Sequence, residues 1–234
     1  MQNFFKLLIF FSLCDFSGIA QRNKVENLPK YDKQVVHFGF LLGINSTDFV
    51  VNRIGAFTHF DSLYVVEAKS VAGFNLGIVS NLRIGEHFDL RFIPTLAFSE
   101  RNLDYSFYTN DKLSSVTSKK IESTFLQFPF DLKFKSSRVV NYRVYVTAGF
   151  SYMIDMVSQA KVESKDKDFV RLQRDDYGYS IGLGFDLYMQ LFKLSPEIKM
   201  YHGLPNLLIP DDRIFSSSLR SLRSKIFLIS LSFE

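Results

Sequence analysis

The sequence predicts an all-β protein, an eight-stranded antiparallel transmembrane β-barrel with short periplasmic turns and long external loops. Three observations carry this. Eight segments alternate apolar and polar residues with period two. The connections between those segments alternate short and long. An export signal stands in front of them, and no later run is long and apolar enough for a spanning helix.

The signal occupies residues 1–20. Lys6 supplies the positive start, Leu7–Leu13 the apolar run, and Gly18-Ile19-Ala20 the small-residue cleavage site, so Gln21 is the expected mature start. Cys14 follows the bulky Leu13, which disfavours a lipoprotein site. Cleavage after Ala20 removes that single cysteine and leaves a chain indifferent to an oxidising compartment. Residues 21–33 are a polar periplasmic lead-in containing Pro29, and residues 34–234 form the barrel. With 26 Phe and 11 Tyr the composition favours strands. A net charge of +4, evenly spread, argues against nucleic acid as a partner.

The apolar faces of the eight runs follow in order. The first is Val36, Phe38, Phe40, Leu42, Ile44, and the second Phe74, Leu76, Ile78, Leu82, Ile84. The third is Phe88, Leu90, Phe92, Leu96, Phe98, and the fourth Leu126, Phe128, Phe130, Leu132, Phe134. The fifth is Val144, Val146, Ala148, Phe150, Tyr152, and the sixth Tyr179, Ile181, Leu183, Phe185, Leu187. Leu194, Ile198, Met200 make the seventh, and Phe227, Ile229, Leu231, Phe233 the eighth. Pro94 and Pro129 each remove a ladder donor, so a bulge or an open pair is expected at each.

Short connections fall at Gly85-Glu86-His87, Ser136–Asn141 and Gln190–Lys193. Long ones fall at Ser46–Val71, Glu100–Lys120, Asp155–Asp176 and Gly203–Arg223, some of that length being strand that continues past the membrane. A soluble lipocalin would also have eight strands, but with its apolar face inward. Here the polar faces carry Gly, Ser and charges, which suits a crowded lumen, and the unbroken apolar rows suit lipid.

Nine charged residues of the polar faces gather near the short turns: Arg83, Asp89, Arg91, Asp131, Lys133, Arg143, Asp186, Glu197 and Lys199. Eight strands leave an interior that side chains just fill, so a salt-bridged plug is expected. A proton or ligand pathway is the alternative, because charges inside membrane proteins are often functional. The histidines His37, His59, His87 and His202 are scattered, with no Ser or acid at a diagnostic spacing, so no metal, cofactor or enzymatic activity is expected. Gly39, Gly43, Gly73, Gly77, Gly182 and Gly184 sit on polar faces, where they make room for lumen side chains. Lys161–Arg174 is mixed in sign and reads as a solvated loop.

The run Asn27-Leu28-Pro29-Lys30-Tyr31-Asp32-Lys33 leads into His37-Phe38-Gly39-Phe40 and Gly43-Ile44-Asn45. With Leu90–Pro94, Glu100–Leu103, Phe128-Pro129-Phe130 and Ile229–Glu234, it resembles the PorT (SprT) family, outer-membrane barrels associated with type IX secretion and gliding motility. The resemblance implies a non-enzymatic component or assembly factor of that secretion system, in contact with outer-membrane lipid and with other secretion-system proteins. The alternatives are a stand-alone structural or adhesive barrel and, behind it, a lipid-modifying enzyme. In the lead-in, Val25, Leu28, Pro29, Lys30 and Tyr31 form a candidate segment for docking on a partner or in the barrel mouth, against the plainer expectation of a loose tail.

Overall fold

The computed structural model describes residues 25–53, 63–109, 112–157, 171–209 and 219–234. The signal segment, Cys14, the expected start at Gln21, His59 and most of the Lys161–Arg174 run lie outside the described residues. A short 3-10 turn at Tyr31–Lys33 precedes nine strand segments. These are β1 (Val36–Arg53), β2 (Leu63–Arg83), β3 (Phe88–Phe92), β4 (Thr95–Thr109), β5 (Lys112–Lys135), β6 (Tyr142–Asp155), β7 (Asp175–Tyr188), β8 (Lys193–Gly203) and β9 (Leu219–Phe233). Every pairing is antiparallel, and β1 pairs with both β2 and β9, so the sheet closes on itself. β3 and β4 share one stave, each pairing with β2 on one side and β5 on the other, which makes eight staves from nine segments.

The break in that stave is where Pro94 stands, and Ile78 donates across it to the Pro94 carbonyl at 3.0 Å. Pro129 does not break β5, which stays in register with β6 through Pro129↔Ser151. Its carbonyl accepts from Ile93 at 3.4 Å. In an antiparallel strand the N–H and C=O of one residue point the same way. The donor that Pro129 lacks therefore faces the gap left by Pro94, and the two prolines share one interruption of the ladder.

Phe38, Phe40, Leu42 and Ile44 of β1 point outward and are exposed, as are Ile181, Leu183 and Phe185 of β7. Asn45, Asn75, Asn81 and Thr147 point inward and are buried. The apolar face thus meets lipid and the polar face fills the lumen. The short turns follow β2, β5 and β7, and both the lead-in and Glu234 lie at their end of the barrel.

The long connections are shorter than the sequence suggested. Much of the connection Glu100–Lys120 is strand that continues past the membrane, paired to Thr109↔Lys112 with one register shift between Phe107 and Tyr108. Likewise β1 runs on to Arg53 and β2 begins at Leu63. The alternation that marks a strand in lipid stops at the membrane edge. Beyond Ile44, Ser46 and Asp48 face outward while Thr47 and Phe49 are buried inside. The backbone continues, but the polarity of its two faces changes over.

Candidate functional site

The periplasmic half of the lumen is filled by a chain of ion pairs. Arg91, with no exposed surface, holds Glu197 at 2.8 Å, and Glu197 meets Lys199 at 3.1 Å. Lys199 reaches Asp131 at 2.5 Å, which also accepts from the Ser180 hydroxyl at 3.0 Å. Lys133 lies 2.8 Å from both oxygens of Asp186, and Ser195 donates to the same carboxylate at 2.7 Å. These six of the nine residues singled out in the sequence thus pair among themselves. Asp89 and Arg143 find partners elsewhere, Asp89 with Lys135 at 2.5 Å and Arg143 with Asp32 at 3.1 Å. Arg83 meets no carboxylate among the described residues and donates to the carbonyls of Asp32 and Gly85.

The partners that sequence reasoning missed share one signal. Lys135 continues the inward row Asp131, Lys133 by one step. Lys193 precedes Ser195, Glu197 and Lys199 on the same face, and it pairs with Glu234 at 2.9 Å. Glu234 in turn continues Ser230 and Ser232. Each stands at a strand end, where the alternation was read as already over. Tyr145 was also missed, although it shares the inward face of Arg143 and Thr147. Its ring lies opposite Gly184, where a Cβ would overlap it, and its hydroxyl donates to Glu197 at 2.9 Å. The Lys133 ammonium sits 3.7 Å from the centre of the same ring, a cation–π contact that adds to the lattice.

Above this lattice apolar side chains join the polar ones in the lumen, and Asp155 and Asp176 are buried there too. Ala97, Phe125, Met153, Tyr201 and Ile226 form one buried cluster. Arg101 lies between two rings there, 4.2 Å from the centre of Phe49 and 5.1 Å from that of Phe125. It donates to Ser123 at 2.8 Å and to Ser224 at 3.4 Å.

The lead-in closes the periplasmic mouth. The Asn27 amide N–H donates to Asn141 at 2.8 Å and its side chain to the Tyr188 carbonyl at 2.9 Å. The Tyr31 hydroxyl donates to Glu234 at 2.9 Å, and its ring stacks on His37 with centres 4.0 Å apart. The His37 Nε2–H donates to the Tyr31 carbonyl at 2.9 Å. Burial, and then Glu234, push the Tyr31 hydroxyl pKa up. Burial would raise the Asp32 carboxyl too, but Arg143, the Tyr188 hydroxyl and Arg138 outweigh it and hold Asp32 below the usual range. Arg138 is the clasp: it lies 3.3 Å from Asp32, stacks 3.6 Å over Tyr188, and donates to the Asn27, Leu28 and Val140 carbonyls. Leu28 and Val140 both sit at positive φ, 49° and 55°. For a β-branched residue such as Val140 that costs of order 1–3 kcal/mol, which the clasp must hold in place. Of the candidate docking residues, Tyr31 and Leu28 are partly covered in the mouth, whereas Val25, Pro29 and Lys30 stay exposed.

The remaining histidines stand apart. His87 donates from Nδ1 to the Lys135 carbonyl at 3.1 Å, and His202 lies beside Tyr179 on the outer face. Among the described residues no three His, Cys, Asp or Glu side chains converge as a metal would need.

The sequence pattern of one family of outer-membrane barrels matches residues 19–208. The chain belongs to the outer membrane protein beta-barrel domain family. It is an outer-membrane protein, with its short turns in the periplasm. Among curated proteins none matches the sequence. Solved structures similar to this barrel include Neisserial surface protein A, at 11% identity and a TM-score of 0.43, covering 85% of this chain and 98% of that one. OprG from Pseudomonas aeruginosa is 15% identical with a TM-score of 0.41, covering 85% of this chain and 91% of its own. Ail of Yersinia pestis, solved with a heparin analogue, is 12% identical with a TM-score of 0.38, covering 86% and 99%. Likenesses this distant say nothing of function.

Proposed function

We propose that this barrel is a non-conducting, non-enzymatic component or assembly factor of type IX protein secretion, working through its surfaces with other secretion-system proteins. The observation that carries the proposal is the lead-in. The run Asn27–Lys33 that resembles the PorT (SprT) family is also the segment that closes the mouth, through Asn27, Tyr31 and Asp32. With the mouth shut and the lumen ion-paired beneath it, the barrel offers cargo no route, so a role in export has to be exerted from outside the lumen. Deletion of the gene should abolish secretion of type IX cargo, and the purified protein should give no steady conductance in planar bilayers. Normal secretion by the deletion strain would reject the proposal, and stable channels would reject the sealed lumen.

A stand-alone structural or adhesive barrel is the second reading. It is favoured by β4 and β5, whose hairpin stays paired to Thr109↔Lys112, well past the outward apolar rows that end near Phe98 and Leu126. Such a hairpin carries paired strand beyond the outer belt. Under this reading the deletion strain secretes normally but loses surface attachment.

A further inference from the structure

The periplasmic face holds a pocket of about 300 Å³ between the lead-in, the β2–β3 turn and the β5–β6 turn. Arg83, Lys135, Arg138 and Arg143 line it, against the carboxylates of Asp32 and Glu86. Lys135 is taken up by Asp89, and Arg138 by Asp32 and Glu26. Arg143 also meets Asp32, at 3.1 Å, but it and Arg83 keep donors to spare. Arg83 is bonded to backbone carbonyls alone among the described residues. Arg143 is 7% exposed, yet its Nε–H has no acceptor. A buried guanidinium N–H left without a partner is costly.

We propose that this pocket binds a carboxylate presented by a periplasmic partner chain, either an Asp or Glu side chain or a chain terminus. The planar fork of arginine matches a carboxylate, and two such groups converge here. A phosphate dianion would face Asp32 and Glu86 with twice the charge, so the monoanion is favoured. The volume fits one side chain rather than a folded element. Val35, whose carbonyl accepts from the Arg83 amide, and Val139, next to Arg138, are both exposed beside the pocket. These exposed apolar side chains give the residues flanking a peptide carboxylate a surface to pack on, which a free ion would not use. The inference stands whichever reading of the cellular role holds, because it is read in a binding assay and not in secretion.

The test is calorimetry on the mature protein folded in detergent, with three probes: the tripeptide acetyl-Gly-Glu-Gly-amide, its Gln counterpart, and inorganic phosphate. The Glu peptide should bind, and the Gln peptide and phosphate should bind at least about tenfold more weakly. Arg83→Gln should weaken the Glu peptide about tenfold. Because Arg83 also bonds the lead-in, Ser137→Glu is the second variant. It places a carboxylate of the chain's own at the pocket edge and should abolish peptide binding in a barrel that still shifts on heating in gels. Equal affinity for the Glu and Gln peptides would overturn the proposal. So would tighter binding of phosphate, unchanged affinity in both variants, or no saturable binding up to about 10 mM.

Discussion

In the periplasmic half of the lumen Arg91, Lys133 and Lys199 each meet a carboxylate, at 2.8, 2.8 and 2.5 Å. In the outer half Phe125, Met153, Tyr201 and Ile226 pack against one another, and Arg101 lies between aromatic rings with hydroxyls as its acceptors. The two halves are filled by different physics. The charged half is specified by matching, since each ion taken from water needs a counter-ion and hydrogen bonds to offset its desolvation. In the outer half Asp155 and Asp176 are buried as well, but the cluster of apolar side chains is specified by volume and loses roughly in proportion to what is removed. The first should therefore fail sharply when one member is lost, and the second gradually.

The largest effect is expected from Lys133→Met. It leaves Asp186 buried with Ser195 as its remaining close donor, and breaking a buried pair typically costs about 3–5 kcal/mol. The double variant Lys133→Met, Asp186→Leu removes both charges and should recover most of that loss. Urea unfolding of the refolded barrel measures both. A double variant as unstable as the single one would mean that shape, and not charge matching, fills this half. In the outer half Ile226→Val removes one methylene from the buried cluster and should cost about 0.5–1.5 kcal/mol. A loss as large as that of Lys133→Met would erase the distinction between the halves.

The same contrast explains what was legible in the sequence. Inside the bilayer the outward face is apolar and the lumen polar, so Phe38, Phe40, Leu42 and Ile44 against Asn45 give the strand and its facing at once. Past the bilayer the outward face meets water and apolar side chains enter the lumen beside the polar ones. On β9 Phe227, Ile229 and Leu231 point out, while Leu222 and Ile226 point in and Arg223 and Lys225 are exposed. The alternation survives, but its phase is inverted, and a search for one continuous apolar row ends at the crossing. That is why Glu100–Lys120 was read as a long connection. The ion pairs were legible in kind but not in pairing. Arg91 to Glu197 crosses the lumen between strands far apart in the chain, and only the curvature of the closed sheet brings them together. The mouth was the least legible part, because Asn27, Tyr31 and Asp32 act there through single contacts with no period to reveal them.

The smallest effect concerns the mouth, where matching operates close to water. Asp32 is half-exposed, and its pKa is held down by Arg143, the Tyr188 hydroxyl and Arg138 against the upward pull of burial. A carboxyl whose folded pKa lies below its unfolded value stabilises the closed mouth fully above the unfolded value, about 3.9 for Asp. That contribution is lost as pH falls through the lower folded value. The mouth should accordingly stay shut at neutral and mildly acidic pH and loosen below about pH 4. Cleavage of the lead-in near Leu28 and Tyr31 reads this, by chymotrypsin at neutral pH and by pepsin in acid, each set against its rate on an unfolded peptide at the same pH. In Asp32→Asn the lead-in should be cut faster above about pH 4 and at close to the wild-type rate well below it, so that its increase on acidification is smaller than in the wild type. Glu234, which accepts from Tyr31 and Lys193, is left in place by this substitution, so whatever acid response remains belongs to it. An unchanged acid response in Asp32→Asn would assign the whole of it to Glu234 and leave Asp32 with no measurable part in holding the mouth shut.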